Sequence, residues 1–229
     1  MQIYHKHSWE VSTEEAKRIQ LELRSRLDFH FKIDPSRLQI IAAADISYNR
    51  NDDNLFAVVV LLSFPDLDVV GEYTHRCKAH FPYIPGFLSF REIPPLLEIF
   101  KNIYTPPDII LCDGQGIAHP RGFGLASHLG LLLDTPTIGC AKSLLVGDYQ
   151  KLASLKGSTT PLVYQNRKVG MVVRTRQGVK PVYVSIGHKI RLREAIKIVL
   201  QCSPKYRIPE PLRVSHRRVN EFRKLFKRN

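Results

Sequence analysis

The chain has 229 residues, 44% of them hydrophobic, which is enough for one well-buried core and short for two, and no Ser/Gly-rich linker divides it. Lysine and arginine (34) outnumber aspartate and glutamate (21), and the net charge of +13 makes nucleic acid the leading partner class, because each neutralised phosphate releases counterions. No apolar run approaches the roughly 20 residues of a membrane span, the polar segment Met1 to Glu10 lacks a signal peptide's apolar core, and Cys77, Cys112, Cys140 and Cys202 show no C-x-x-C spacing for zinc or redox work; a cytoplasmic protein of one domain, 1–229, with buried free thiols is expected.

Ser12-Thr13-Glu14-Glu15 reads as a capping box. Ala16, Ile19, Leu23 and Leu27 follow at spacings of three and four, predicting a helix of about 17 residues that ends before Asp34-Pro35. Three strand-like runs come next: Leu38 to Tyr48, Leu55 to Phe64 and Val69 to Cys77. The short polar turns between them, the first spanning Asn49 to Asn54, predict an antiparallel meander. Its second run is apolar almost throughout, as in a strand buried on both faces.

Beyond Pro82 to Gly86 the pattern changes. A helix is predicted from Pro94 to Asn102, a short buried strand from Asp108 to Cys112, a helix from Gly122 to Leu133 and a strand from Thr135 to Cys140. That alternation predicts parallel strands. Val169 to Thr175 and Val182 to Ile186 read as a late strand pair, followed by an amphipathic helix from Arg191 to Cys202. The fold class is therefore α/β, with a mixed sheet flanked by helices.

Three acids stand where apolar runs end: Asp45, Asp113 and Glu92. A carboxylate there is costly to desolvate unless a cation meets it. Asp45 on the first strand and Asp113 at the end of the first parallel strand come to one ion if those strands are neighbours about 4.8 Å apart. Hard oxygen donors without Cys or a His pair point to Mg²⁺, with Mn²⁺ as substitute, and to phosphoryl chemistry. Either aspartate alone reads better as a turn residue, since Asp-Gly is a common turn pair; the pairing reverses this in favour of the metal. Glu92 completes a capping-box pattern with Ser89, but Pro94 and Pro95 would then fall inside the helix, so a start nearer Pro94 is expected, leaving Glu92 free to turn toward the ion.

Gly114 to Gly124 holds four glycines in eleven residues, a loop whose backbone amides can approach a ligand closely, though it lacks the G-K-[ST] ending of a P-loop. His119 and Arg121 within it could touch a phosphate, or be surface residues. Lys142, after a buried strand, opens onto the same sheet edge as Asp113, where a lysine neutralises a phosphate or is simply solvated. His216 precedes a basic tail (Arg217, Arg218, Arg223, Lys224, Lys227, Arg228) that reads as a solvated helix or a phosphate-tracking arm.

Ala44-Asp45-Ile46-Ser47-Tyr48, the stretch Phe81 to Glu92 (FPYIPGFLSFRE), Asp113-Gly114-Gln115-Gly116 with His119-Pro120-Arg121, Gly139 to Ser143, and Pro209 to His216 together resemble the endonuclease V family over nearly the whole chain. The resemblance implies a ribonuclease H-like fold and a Mg²⁺-dependent nuclease that recognises hypoxanthine in DNA and cuts the second phosphodiester on its 3′ side, leaving 3′-hydroxyl and 5′-phosphate ends. It implies Asp45, Glu92 and Asp113 as metal ligands with His216 beside them, and Lys142 and His119 at the phosphate. Pro82-Tyr83-Ile84-Pro85 would be a wedge, with Tyr83 stacking into the gap left by the extruded nucleotide; the other reading of Tyr83 is a core aromatic against Phe81 and Phe87. The base would enter a pocket built from Gly86, Leu88, Leu125 and Gly139, near Gly114 and Arg121. DNA with deaminated bases is the expected partner and a monomer the expected state. The alternatives are a ribonuclease acting on inosine-containing RNA and a non-catalytic basic nucleic-acid-binding module.

Overall fold

The computed structural model describes residues 1–49 and 52–226. Arg50 and Asn51 of the first expected turn, and Lys227 and Arg228 of the basic tail, lie outside them. Helix α1 spans Thr13–Arg24. Strands β1 (Ile40–Tyr48), β2 (Asn54–Ser63) and β3 (Val69–Lys78) form the expected antiparallel meander. After α2 (Leu88–Lys101), strand β4 (Ile109–Cys112) pairs parallel to β1, and after α3 (Leu125–Leu133), strand β5 (Thr137–Ala141) pairs parallel to β4. Strands β6 (Thr159–Tyr164), β7 (Arg167–Val173) and β8 (Val182–His188) extend the sheet antiparallel, and helices α4 (Leu192–Gln201) and α5 (Glu210–Lys224) close the chain. The strand order is β3-β2-β1-β4-β5-β8-β7-β6. This is the ribonuclease H-like mixed sheet that the motifs led us to expect.

The two-residue period of the strands sorts the core onto two faces. Ile41 and Ala43 pack with Phe56, Val58 and Val60 beneath Leu212, Val214 and Val219 of α5 and Ile198 of α4. Ala42 and Ala44 face the other way, with Ala57, Val59 and Leu61 under Ile93, Leu96 and Phe100 of α2 and Leu129 of α3. β2 is buried along both faces between these layers. Among the described residues no helix is long and apolar enough to cross a membrane. Cys112, Cys140 and Cys202 are buried free thiols, and Cys77 is half-buried.

Four expectations need correction. α1 has 12 residues and stops at Arg24, because tertiary partners take the backbone beyond it: the Asp28 amide donates to His188 Nδ1 and the Lys189 amide donates to the Asp28 carbonyl. α2 begins at Leu88 and carries Pro94 and Pro95 in its interior. Interior prolines cost about 3 kcal/mol or more each, but Phe90, Ile93, Leu96, Leu97 and Phe100 are buried along this helix, and each such side chain contributes about 1.5–3 kcal/mol. β6 was absent from the expected elements; Pro161 breaks its pattern, and an edge strand accommodates a proline that a central one would not. The basic tail is a helix with Arg217 and Lys224 exposed, but not a free one: α5 seats Leu212, Val214 and Val219 on the sheet and Arg223 Nη1 donates to the Tyr48 carbonyl at 2.8 Å.

Candidate active site

The register of the first parallel pair sets the centre of the site. Ala44 lies opposite Cys112, so the next residues along, Asp45 and Asp113, stand side by side where β4 ends and β1 continues. Odd-numbered residues of β1 face α5, and His216 on that helix donates from Nδ1 to Asp45 Oδ2 at 2.9 Å. The other oxygen of Asp45 accepts from the Ile46 amide at 2.8 Å. Lys142, just past β5, forms an ion pair with Asp113. Glu92 projects from α2 toward the same sheet edge: burial first, then the negative charges of Asp45 and Asp113, push its carboxyl up to about 8. Asp113 is also raised, by burial against the opposing pull of Lys142, and His216 is raised chiefly by its hydrogen bond to Asp45.

Among the described residues no three His, Cys, Asp or Glu side chains are closed onto a common point as ion ligands. Lys142 and His216 instead meet the charge of Asp113 and Asp45. The donor set nonetheless fits a hard divalent cation: three carboxylates from β1, α2 and the end of β4, close enough that the charges of Asp45 and Asp113 help raise Glu92.

Beside this centre lies a cavity of about 350 Å³ lined by Tyr83 to Gly86, Leu88, Gly114, His119, Leu125 and Lys142. Gly139 is not in its wall. It lies one layer below, where a Cβ would come within 2.4 Å of the Gly116 amide nitrogen, so it supports the floor of the loop. Ile84-Pro85-Gly86-Phe87 is a tight turn with the Phe87 amide donating to the Ile84 carbonyl at 3.0 Å and Gly86 at φ +81°, the glycine position of a type II turn. Tyr83 is 58% exposed on this turn, whereas Phe81 is buried against Phe90 and Phe87, which rejects the core reading of Tyr83.

His119 and Arg121 hold the turn from below. His119 is 5% exposed; its Nε2 donates to the Gly86 carbonyl at 3.0 Å and its Nδ1 accepts from the Arg121 amide at 3.2 Å. Burial and the nearby Arg121 charge bring its pKa down to about 4, so it is neutral. The Arg121 guanidinium donates to the Gly86 carbonyl and to Gln20 of α1, and lies 4.1 Å from the Phe87 ring centroid. Both ring nitrogens of His119 are thus engaged within the turn and its own loop.

A family model described as Endonuclease V matches residues 21–217. The chain belongs to the endonuclease V family. It is 54% identical over 215 residues to the Endonuclease V of Trichormus variabilis, covering 94% of this chain and 97% of that one. Its structure is similar to that of the Endonuclease V of Streptomyces avermitilis, with a TM-score of 0.92, 40% identity and coverage of 98% of this chain and 99% of that chain. The Ciona intestinalis Endonuclease V in complex with a DNA containing an inosine followed by a ribo-adenosine is similar at a TM-score of 0.82 and 29% identity, covering 95% of this chain and all of the other. Membership makes the protein an endonuclease that binds nucleic acid.

Several residues of this endonuclease V site were not among the expected site residues. Asn220 donates from Nδ2 to His216 Nε2 at 3.3 Å, which leaves the His216 proton on Nδ1 for Asp45. Arg207 donates to the carbonyls of Lys142 and Pro181, fixing the lysine's backbone. Gln20, Ser89 and Gln115 are buried polar residues around the cavity and its turn. Ser89 and Gln115 stand inside the motifs that carry the resemblance, and Gln20 is a polar residue on the apolar stripe of α1.

Proposed function

We propose that this protein is a cytoplasmic, monomeric, Mg²⁺-dependent repair endonuclease, one domain throughout, that recognises hypoxanthine in DNA and hydrolyses the second phosphodiester on its 3′ side, leaving 3′-hydroxyl and 5′-phosphate ends. The observation that carries this reading is the placement of Asp45 and Asp113 on adjacent parallel strands, with Glu92 facing both, at the mouth of a cavity flanked by an exposed tyrosine. Asp45, Glu92 and Asp113 would hold the metal, which when bound activates water and steadies the departing oxyanion. His216, oriented by Asn220, holds Asp45 in position. Lys142 sits between Asp113 and the cavity, where it can pass from its carboxylate partner to a phosphate oxygen of the substrate.

Tyr83 fills the gap left by the flipped nucleotide, and the stiffness of Pro82-Tyr83-Ile84-Pro85 limits what ordering it costs. His119 and Arg121 serve by fixing Gly86 and hence the wedge. The base enters the cavity between Gly86, Leu88, Gly114 and Leu125. The DNA of the Ciona complex, with its inosine, supports a substrate of this kind.

The experiment is a nicking assay on matched strands containing one inosine, as DNA duplex and as RNA, with and without Mg²⁺, with the break mapped. Metal-dependent scission of the DNA at the second phosphodiester is expected. Scission of the RNA alone would assign the protein to inosine-containing RNA, and no scission of either would leave a binding module.

A further inference from the structure

Ser89, the second residue of α2, lines the cavity beside Leu88. Its hydroxyl is the buried end of a chain of hydrogen bonds that runs out to the surface. Ser89 Oγ lies 3.1 Å from His128 Nδ1, His128 Nε2 lies 2.8 Å from His7 Nε2, and His7 Nδ1 lies 2.7 Å from the Ser8 carbonyl oxygen. The far end fixes the direction. A carbonyl oxygen only accepts, so His7 carries its proton on Nδ1 and presents a bare Nε2. His128 must therefore donate from Nε2, its Nδ1 is bare, and Ser89 donates to it. Both rings are neutral, as this scheme needs: burial lowers His7, and burial together with His7 lowers His128 well below the ordinary histidine value. The rings are packed against Trp9, Phe90 and Phe123, with His128 fully buried and His7 partly buried, so water is kept from the His128 ring and its bond to Ser89.

With its proton committed to His128, the Ser89 oxygen has only lone pairs left. A second wall residue is in the same condition. Gln115 is 7% exposed and its Nε2 donates to the Ser143 carbonyl at 3.3 Å, which identifies the other amide atom as oxygen; that Oε1 is buried with no partner. The polar side chains deep in this wall are thus arranged as acceptors.

We propose that His7 and His128 are positioning residues that hold the Ser89 hydroxyl as a hydrogen-bond acceptor toward the base, so that the cavity selects a ring N–H beside a carbonyl, the group that deamination creates. Resting on the reading of the protein as a deaminated-base endonuclease, this adds what the cavity measures. Adenine presents a bare N1 and cytosine a bare N3, lone pair against lone pair; hypoxanthine, xanthine and uracil present N–H at the same place. Guanine shares that N–H, and this acceptor does not set it apart from hypoxanthine.

Two measurements on the full chain test this. The first is the ¹⁵N spectrum of the histidine side chains: wild-type His128 is expected as the Nε2–H tautomer, reverting to a mixture in His7→Phe, which keeps the aromatic packing but removes the acceptor. A proton on His128 Nδ1 in the wild type overturns the proposal without any variant. The second is incision kinetics. Ser89→Ala should lower kcat/KM on inosine duplex about tenfold, the loss from one unmade bond to a buried group, with affinity for undamaged duplex unchanged and the inosine-to-adenine ratio reduced. His7→Phe should lower the ratio in the same direction. A Ser89→Ala enzyme within twofold of wild type on inosine, or one whose inosine cutting and undamaged-DNA affinity fall together, overturns it. Wild-type protein that fails to cut inosine at all would instead sink the underlying functional reading, and the tautomer result would still stand on its own.

Discussion

Glu92→Gln separates the electrostatic account of the site from a purely steric one. The Glu92 carboxyl stands at about 8, against 4.5 for an ordinary glutamate. Between those values the folded protein keeps a proton that the unfolded chain has lost. Stability of the metal-free protein is therefore fully present below the unfolded value and declines as pH rises toward the folded one, by about 1.4 kcal/mol per pH unit. From about pH 5.5 to about pH 8 that amounts to about 3 kcal/mol from this group alone. A glutamine mimics the protonated carboxyl and carries none of this slope. The assay is urea unfolding of both proteins in chelator across that range, taking the difference between them so that other titrating groups cancel. The variant should gain about 3 kcal/mol on the wild type over the range, and saturating Mg²⁺ should remove most of the wild-type slope by occupying the ionised site. A difference that moves by less than about 1 kcal/mol across the range would refute the reasoning, since the three acids would then not be sharing one desolvated space.

Asp45→Ala should keep affinity for inosine DNA and lose cutting by about 100-fold or more, because the ion it helps hold supplies several kcal/mol at the transition state; gel-shift and nicking assays read the two separately. Tyr83→Ala should reduce discrimination between inosine and adenine sites by an amount equivalent to about 1 to 3 kcal/mol of stacking, with smaller change in general duplex affinity, and equal losses on both would remove the wedge role. Gly86→Ala should distort the turn, since its φ of +81° is a glycine conformation and the new Cβ would lie 2.9 Å from Arg121 Nη2; the expected result is a destabilisation of about 1–2 kcal/mol by urea unfolding, with poorer inosine discrimination.

The amino-acid pattern alone determined what depends on neighbours in the chain. The apolar runs through Ile40 to Ala44 and along β2 and the polar turns between them dictated the meander, and Asp45 and Asp113 at the limits of buried strands marked the reaction centre. The motif marked Tyr83 as a wedge or a core aromatic, and only the fold, which leaves it 58% exposed, decided between them.

Tertiary structure decided whatever depends on partners distant in the chain. α2 runs through Pro94 and Pro95 because the buried side chains along it outweigh the missing hydrogen bonds. His119 and Arg121 look like phosphate ligands in a glycine loop until the Gly86 carbonyl and Gln20 are seen to engage them. His7 meets His128 across 121 positions of sequence, and no local pattern foretells such a bond, because the aromatic side chains that flank it come from segments only the folded chain brings together.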